Sequence, residues 1–120
     1  MDFNKINDQL TVSGQIFPED VSTLVERGFK TLICNRPDEE VQEALQSAAI
    51  GEVAKAAGLN FRYMPVYPGQ FTDELSAEMT AVMTELDGPV YAYCRSGTRS
   101  CTLWALSQAG VMDAEDIISQ

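Results

Sequence analysis

Val90-Tyr91-Ala92-Tyr93-Cys94-Arg95-Ser96-Gly97-Thr98-Arg99-Ser100 is the stretch on which the reading of this chain turns. A short apolar run, VYAY, has the composition of a buried strand. It leads directly into a turn containing Gly97, and a helical pattern follows from Ser100 to Ala109, with Gly110 as its stop. A strand, a glycine-bearing loop and a helix N-terminus together form an anion cradle. Successive backbone N–H groups converge, and the helix adds its partial positive charge. A cysteine at the base of such a loop is held toward its thiolate, the nucleophilic form. The sequence therefore predicts a nucleophile at Cys94 and an oxyanion partner at Arg99. Arg95, Ser96, Gly97, Thr98 and Ser100 make up the anion-binding loop, with Ser100 capping the helix and offering its hydroxyl to the sulfur. The competing reading is a cysteine that merely ends a core strand, beside solvated arginines.

Outward from this loop, strands and helices alternate. Residues 9–12 read as a strand, followed by a turn at Ser13-Gly14. Pro18 opens a helix reaching Arg27, with Val21, Leu24 and Val25 facing inward and Gly28 ending it. KTLIC (30–34) is a strand, and Asn35-Arg36-Pro37-Asp38 is its exit loop. Residues 41–57 carry Leu45, Ala49, Ile50, Val53 and Ala57 at helical spacing, with Gly58 as C-cap. NFRYMPV (60–66) is a further strand, turning at Tyr67-Pro68-Gly69. Thr72 caps a helix to Leu86 whose stripe is Leu75, Met79, Val82, Met83 and Leu86, the methionines being core filler. A last short helix is expected after Asp113. The alternation predicts a three-layer α/β fold, a mostly parallel central sheet flanked by helices. Ligands of such sheets sit at the carboxyl ends of strands, here the loops 35–38, 67–71 and 94–99.

Composition narrows the chemistry. The 120 residues are expected to form one domain. The net charge of −10 leaves no basic stripe for nucleic acid or an anionic membrane surface, so neither is an expected partner. Two of the five arginines fall inside the six residues 94–99, which points to a small anion. Three cysteines with no metal-ligand spacing suit a reducing compartment. Histidine is absent, which removes Ser-His and Cys-His catalysis and histidine metal sites. No metal or cofactor is expected. With no membrane-length apolar run and no secretory leader at the start, the expected location is cytoplasmic.

The string YCRSGTRS resembles the active-site loops of cysteine phosphatases and rhodanese-type enzymes. With INDQLTVSGQ, NRPDEE, MPV and YCRSGTRSCTLWAL, residues 6–115 resemble the phosphatase-like domain of the beta-lactamase-hydrolase-like protein family. The resemblance implies a dual-specificity-phosphatase fold. It also implies a link to sulfur transfer and sulfide detoxification, because some members are fused to a persulfide dioxygenase. A histidine-free chain cannot hold that iron site, so a separate dioxygenase is the implied partner. Relatives continue past Asp113, so a truncated chain is one expectation.

Departures from the phosphatase pattern weigh between two chemistries. Phosphatases place five residues between cysteine and arginine; this chain places four. Tyr93 stands where they have histidine, and Pro68 where they have the general-acid aspartate. Expelling an alkoxide without a proton donor forgoes about 10²–10⁴-fold, whereas sulfite or a thiolate leaves unaided. On the sequence alone the leading expectation is sulfane-sulfur transfer through a Cys94 persulfide. The donor is thiosulfate or a small persulfide, held by Arg95, Arg99 and backbone amides. The alternatives are a phosphatase acting on a phosphoester through a phosphocysteine, and a non-catalytic anion-sensing domain. Asn35 and Arg36 are candidates to line the cleft, against the reading of a surface turn. Asp73 is a candidate substitute acid, against ordinary charge at a helix N-terminus. Cys101 either resolves an oxidised Cys94 or packs in the core, and Cys34 is expected to be structural.

Overall fold

The computed structural model describes residues 4–111. Its centre is one five-stranded sheet in the order β1 (Asn4–Lys5), β2 (Leu10–Ser13), β5 (Val90–Tyr93), β3 (Thr31–Cys34), β4 (Asn60–Tyr63). The pairs β2–β5, β5–β3 and β3–β4 are parallel, and β1 alone runs antiparallel, against β2. The expected mostly parallel α/β fold is present, with β5 in the middle of the sheet.

Strand alternation sends side chains to two faces, and each face has its own core. Leu10, Val12, Ile33, Val90 and Ala92 meet Met79, Val82 and Leu103 on the side of α3 (Asp73–Glu85) and α4 (Thr98–Val111). Leu32, Cys34, Tyr91 and Tyr93 meet Val21, Leu24, Ile50 and Ala54 on the side of α1 (Val21–Glu26) and α2 (Ser47–Ala56). The α3 stripe follows its expected periodicity: Met79 and Val82 are buried, and Leu75, Met83 and Leu86 pack against the same core. Thr72 caps α3 by accepting from the Leu75 N–H.

Several boundaries differ from the sequence reading. The segment 41–57 is helical only from Ser47, because Asp38 reaches across to accept from the Ser47 N–H at 2.7 Å and its hydroxyl at 3.0 Å. That contact starts the helix late, and residues 43–45 form a separate 3-10 turn. The buried face of α2 is Ser47, Ile50, Gly51 and Ala54, while Val53 is 37% exposed. Gly51 is small because the Phe61 ring lies where a Cβ would stand, 2.7 Å away. Val25 is also exposed, since its helix begins at Val21 after a 3-10 turn over Pro18–Asp20. α4 starts at Thr98, two residues earlier than expected, and runs through Gly110 to Val111, one glycine costing a helix only about 1 kcal/mol. β1 was not anticipated, and the short helix expected after Asp113 lies outside the described residues. No helix among the described residues is long and apolar enough to cross a membrane.

Candidate active site

The parallel register fixes where Cys94 stands. β5 pairs Tyr93 with Ser13 on one side and Cys34 on the other, so Cys94 emerges at the carboxyl end of the middle strand. Its N–H donates to the Ser13 carbonyl at 3.2 Å, and the Asn35 N–H donates to the Tyr93 carbonyl at 2.8 Å. The loop then folds down onto the end of β2, with Ser96 bridging to Gly14. Both glycines at this crossing are required. A Cβ on Gly14 would sit 2.9 Å from the Arg95 carbonyl oxygen, and Gly97 has φ +94 with Ser13 backbone directly beneath it.

Cys94 is fully buried at the base of this loop. The Gly97 N–H donates to its sulfur at 3.0 Å. Burial opposes the thiolate, but the backbone N–H groups of Ser100, Ser96 and Gly97 and the Ser100 hydroxyl outweigh it, and the thiol is held below its ordinary range. Ser100 is not the helix cap. It lies within the first turn of α4, fully buried, with no hydrogen-bonding partner for its hydroxyl other than the adjacent sulfur. The side chains of Ser96 and Thr98 are exposed and bond to each other at 3.2 Å, and the Ser96 backbone joins the nest. Arg95 is exposed at the rim.

Arg99 is held by Glu40, a residue of the NRPDEE stretch with no role predicted from sequence. Glu40 accepts from Nη1 at 2.9 Å and from Nη2 at 2.7 Å, and the Val66 carbonyl takes the other Nη1 hydrogen at 2.7 Å. These bonds occupy the end of the guanidinium. The side edge, Nε–H with the second Nη2 hydrogen, has no acceptor among the described residues and is the fork left for an oxyanion. The Arg99 hydrogen bonds hold the Glu40 carboxyl below its usual range despite some desolvation, and Glu40 raises Arg99 in return. Arg36 joins the same carboxylate through Nε at 3.4 Å and reaches the Gln15 side chain at 3.2 Å. It thus enters the site through Glu40. Only spatial proximity marks Glu40: it lies 59 positions from Arg99 in sequence.

Asn35 is a correction. It is fully buried and lines no cleft; its Nδ2 donates to the Met64 carbonyl at 2.8 Å and its own carbonyl accepts from the Val66 N–H at 2.8 Å. The residue pins the exits of β3 and β4 together, so a polar side chain that looked available in a loop is used for closure. Asp73 is exposed at the first position of α3, on the wall of a depression of about 580 Å³ shared with Phe71, Thr72, Ser76 and Leu106 and with none of residues 94–100. It shares no hydrogen bond with the cysteine loop. Pro68 is exposed in the turn after β4, which the Tyr67 hydroxyl ties to the Glu39 carboxylate. Cys101 packs half-buried against the α3/α4 core, on a shallow groove beside Ser96 and Gly97. Burial pushes the Cys34 thiol up to about 11, opposed by hydrogen bonding with the Tyr93 side chain and the Arg36 backbone.

Comparison with known proteins places this geometry. Residues 2–111 match the model of the beta-lactamase hydrolase-like protein, phosphatase-like domain. The beta-lactamase hydrolase-like proteins of Agrobacterium fabrum and Xylella fastidiosa are 35% and 34% identical over 105 and 104 residues. These matches cover 88% and 86% of this chain, which spans about a quarter, 24%, of either relative. Among solved structures, a candidate phosphatase of Neisseria meningitidis superposes with TM-score 0.82 at 31% identity, covering 99% of this chain and 85% of that one. The catalytic core of the PP-IP phosphatase SIW14 from S. cerevisiae shares the fold, with TM-score 0.65 at 18% identity over 98% of this chain and 71% of that one. The expected cysteine-phosphatase architecture is therefore present, and the chain belongs to the phosphatase-like domain family of the beta-lactamase hydrolase-like proteins.

Proposed function

We propose that the domain is a cysteine-dependent phosphatase-type hydrolase acting on a small phosphoester. This reverses the order in which the sequence alone had ranked the chemistries, because the family and the structural relatives favour phosphoryl over sulfur transfer. The observation that carries it is the buried Cys94 sulfur, ringed by N–H donors, beside an arginine whose end is locked by Glu40 and whose side edge is left for oxygen ligands. In this reading the thiolate attacks phosphorus, the P–O bond breaks and the alcohol oxygen departs with the electron pair. Water then cleaves the S–P bond, releasing phosphate and restoring the thiolate. The nest and Arg99 stabilise charge on the equatorial oxygens through both steps. Pro68 at the acid position favours esters of acidic alcohols, whose oxygens leave without a donor.

That same proline supports sulfur transfer as the second reading. Cys94 would take the outer sulfur of thiosulfate, sulfite leaving with the S–S electron pair, and pass it to a thiol or cyanide. A separate persulfide dioxygenase would then consume the product. Either chemistry suits a reducing, cytoplasmic compartment, since all three cysteines are free thiols.

Assaying an aryl phosphate beside thiosulfate plus cyanide, with Cys94→Ser as control, decides between them. Cys94-dependent phosphate release, with a phosphoryl group trapped on Cys94 and seen by mass spectrometry, supports the proposal. Sulfane transfer with a single added sulfur, and no phosphate release, overturns it in favour of the second reading.

A further inference from the structure

We infer that the cradle accepts an anion whose charge is confined to one small head group on a neutral or cationic body, and that it rejects polyanions. This rests on the reading of the Cys94 loop as a substrate cradle and adds the substrate class. Charge at the carboxyl end of the sheet decides which anions enter. Three arginines stand there, and two of them, Arg99 and Arg36, share the single carboxylate of Glu40. Arg95, at the rim, has no acidic partner among the described residues. Against it stand Asp38 and Glu39 beside Glu40, the Cys94 thiolate itself, and Asp73 and Glu74 opening α3 at the same end of the sheet.

The remaining cations are elsewhere. Lys30 precedes β3, Arg27 follows α1 and Lys55 lies in the last turn of α2, all at the opposite end of the strands. Lys5 is on the edge strand β1, paired with Asp8. Arg62 is on the other edge strand, bonded to the neighbouring Phe61 carbonyl. The stretch 64–72, which follows β4 and faces the loop end, contains no lysine or arginine. Glu39 is also fixed in place, because the Tyr67 hydroxyl donates to its carboxylate and ties together the loops after β3 and β4. A ligand extending beyond the cradle therefore meets tethered negative charge, offset at the rim by Arg95 alone. Nucleoside triphosphates, inositol polyphosphates and phosphopeptides rich in acidic residues carry the wrong charge for that rim.

Protection of Cys94 from iodoacetamide, followed peptide by peptide in low salt, tests this with sulfate, orthophosphate, ATP and inositol hexakisphosphate as competitors. Sulfate and orthophosphate are expected to protect, and both polyanions to protect at least several-fold less well. Glu39→Gln and Glu39→Lys should improve polyanion protection, by about five-fold per unit of charge at contact distance in water, while sulfate protection changes less than two-fold. The glutamine variant keeps a partner for Tyr67, so it separates charge from tethering. Polyanion protection equal to or better than that of sulfate overturns this inference alone, as does indifference of both variants. Failure of every anion to protect a folded protein overturns the cradle reading and this inference with it.

Discussion

Arg99 meets Glu40 end-on, with Nη1 and Nη2 at 2.9 and 2.7 Å from the two carboxylate oxygens, and the guanidinium held this way also feels the charge of Cys94. Both partners are mostly buried, with side-chain exposures of 13% and 25%, so the pair is more than a screened surface contact. Glu40 is a positioning residue: it acts on the site through Arg99.

Glu40→Gln should therefore lower kcat/KM by about ten-fold and Glu40→Ala by about thirty-fold, short of the roughly 10²–10³ lost on removing an oxyanion donor itself. Steady-state kinetics and sulfate protection of Cys94 measure the effect. The sign on stability follows from the depressed Glu40 pKa. Stability from this pair is full above the ordinary carboxyl range and is lost as pH falls through the lower, folded value. Denaturant midpoints between pH 6 and 3 should fall in the wild type and flatten in Glu40→Gln.

Cys94 should react with iodoacetamide along a pH curve whose midpoint lies below the free-thiol value of about 8.5. Ser100→Ala removes the hydroxyl beside the sulfur and should shift that midpoint upward, leaving the protein folded. A midpoint unchanged in the variant would show that the backbone N–H groups hold the thiolate by themselves.

The opposite sign applies to Cys34. Its folded pKa of about 11 lies above the unfolded one, so its contribution to stability is intact below the ordinary thiol range. It is lost as pH rises through 11. Cys34→Val should flatten the alkaline limb of a stability–pH profile, and Cys34 in the wild type should stay unalkylated at pH 8, where Cys94 is labelled.

Two glycines separate site from scaffold. Gly14→Ala places a methyl 2.9 Å from the Arg95 carbonyl and should displace the loop, slowing Cys94 alkylation and turnover together. Gly51→Ala meets the Phe61 ring at 2.7 Å and should cost about 1–3 kcal/mol of stability, as overpacking does, with kinetics of the folded enzyme unchanged.

Asn35→Ala deletes a buried donor and leaves the Met64 carbonyl without its partner. The expected loss is about 1–3 kcal/mol, seen in thermal unfolding. Anion protection of Cys94 should persist at temperatures where the variant is folded.

Some of this was legible from local order alone. VYAY followed by a glycine-bearing loop and a helix announced the strand, the turn and the place of Cys94, because backbone geometry and helix electrostatics act between near neighbours. The alternation of elements gave the layers for the same reason. Contacts across the sheet were not legible. Asp38 starts α2 nine residues downstream, which a periodicity count over 41–57 cannot detect. Asn35 looked available for binding until β4 closed over it.

Local order was therefore enough for an α/β chain with Cys94 at the base of a cradle, since each of those features depends on residues a few positions apart. That Glu40 locks Arg99, that Asp73 shares no hydrogen bond with the thiolate loop, and that Asn35 is a buried pin emerge only from the folded chain. Those outcomes depend on which strand ends the parallel register brings together, and a one-dimensional pattern does not carry that information.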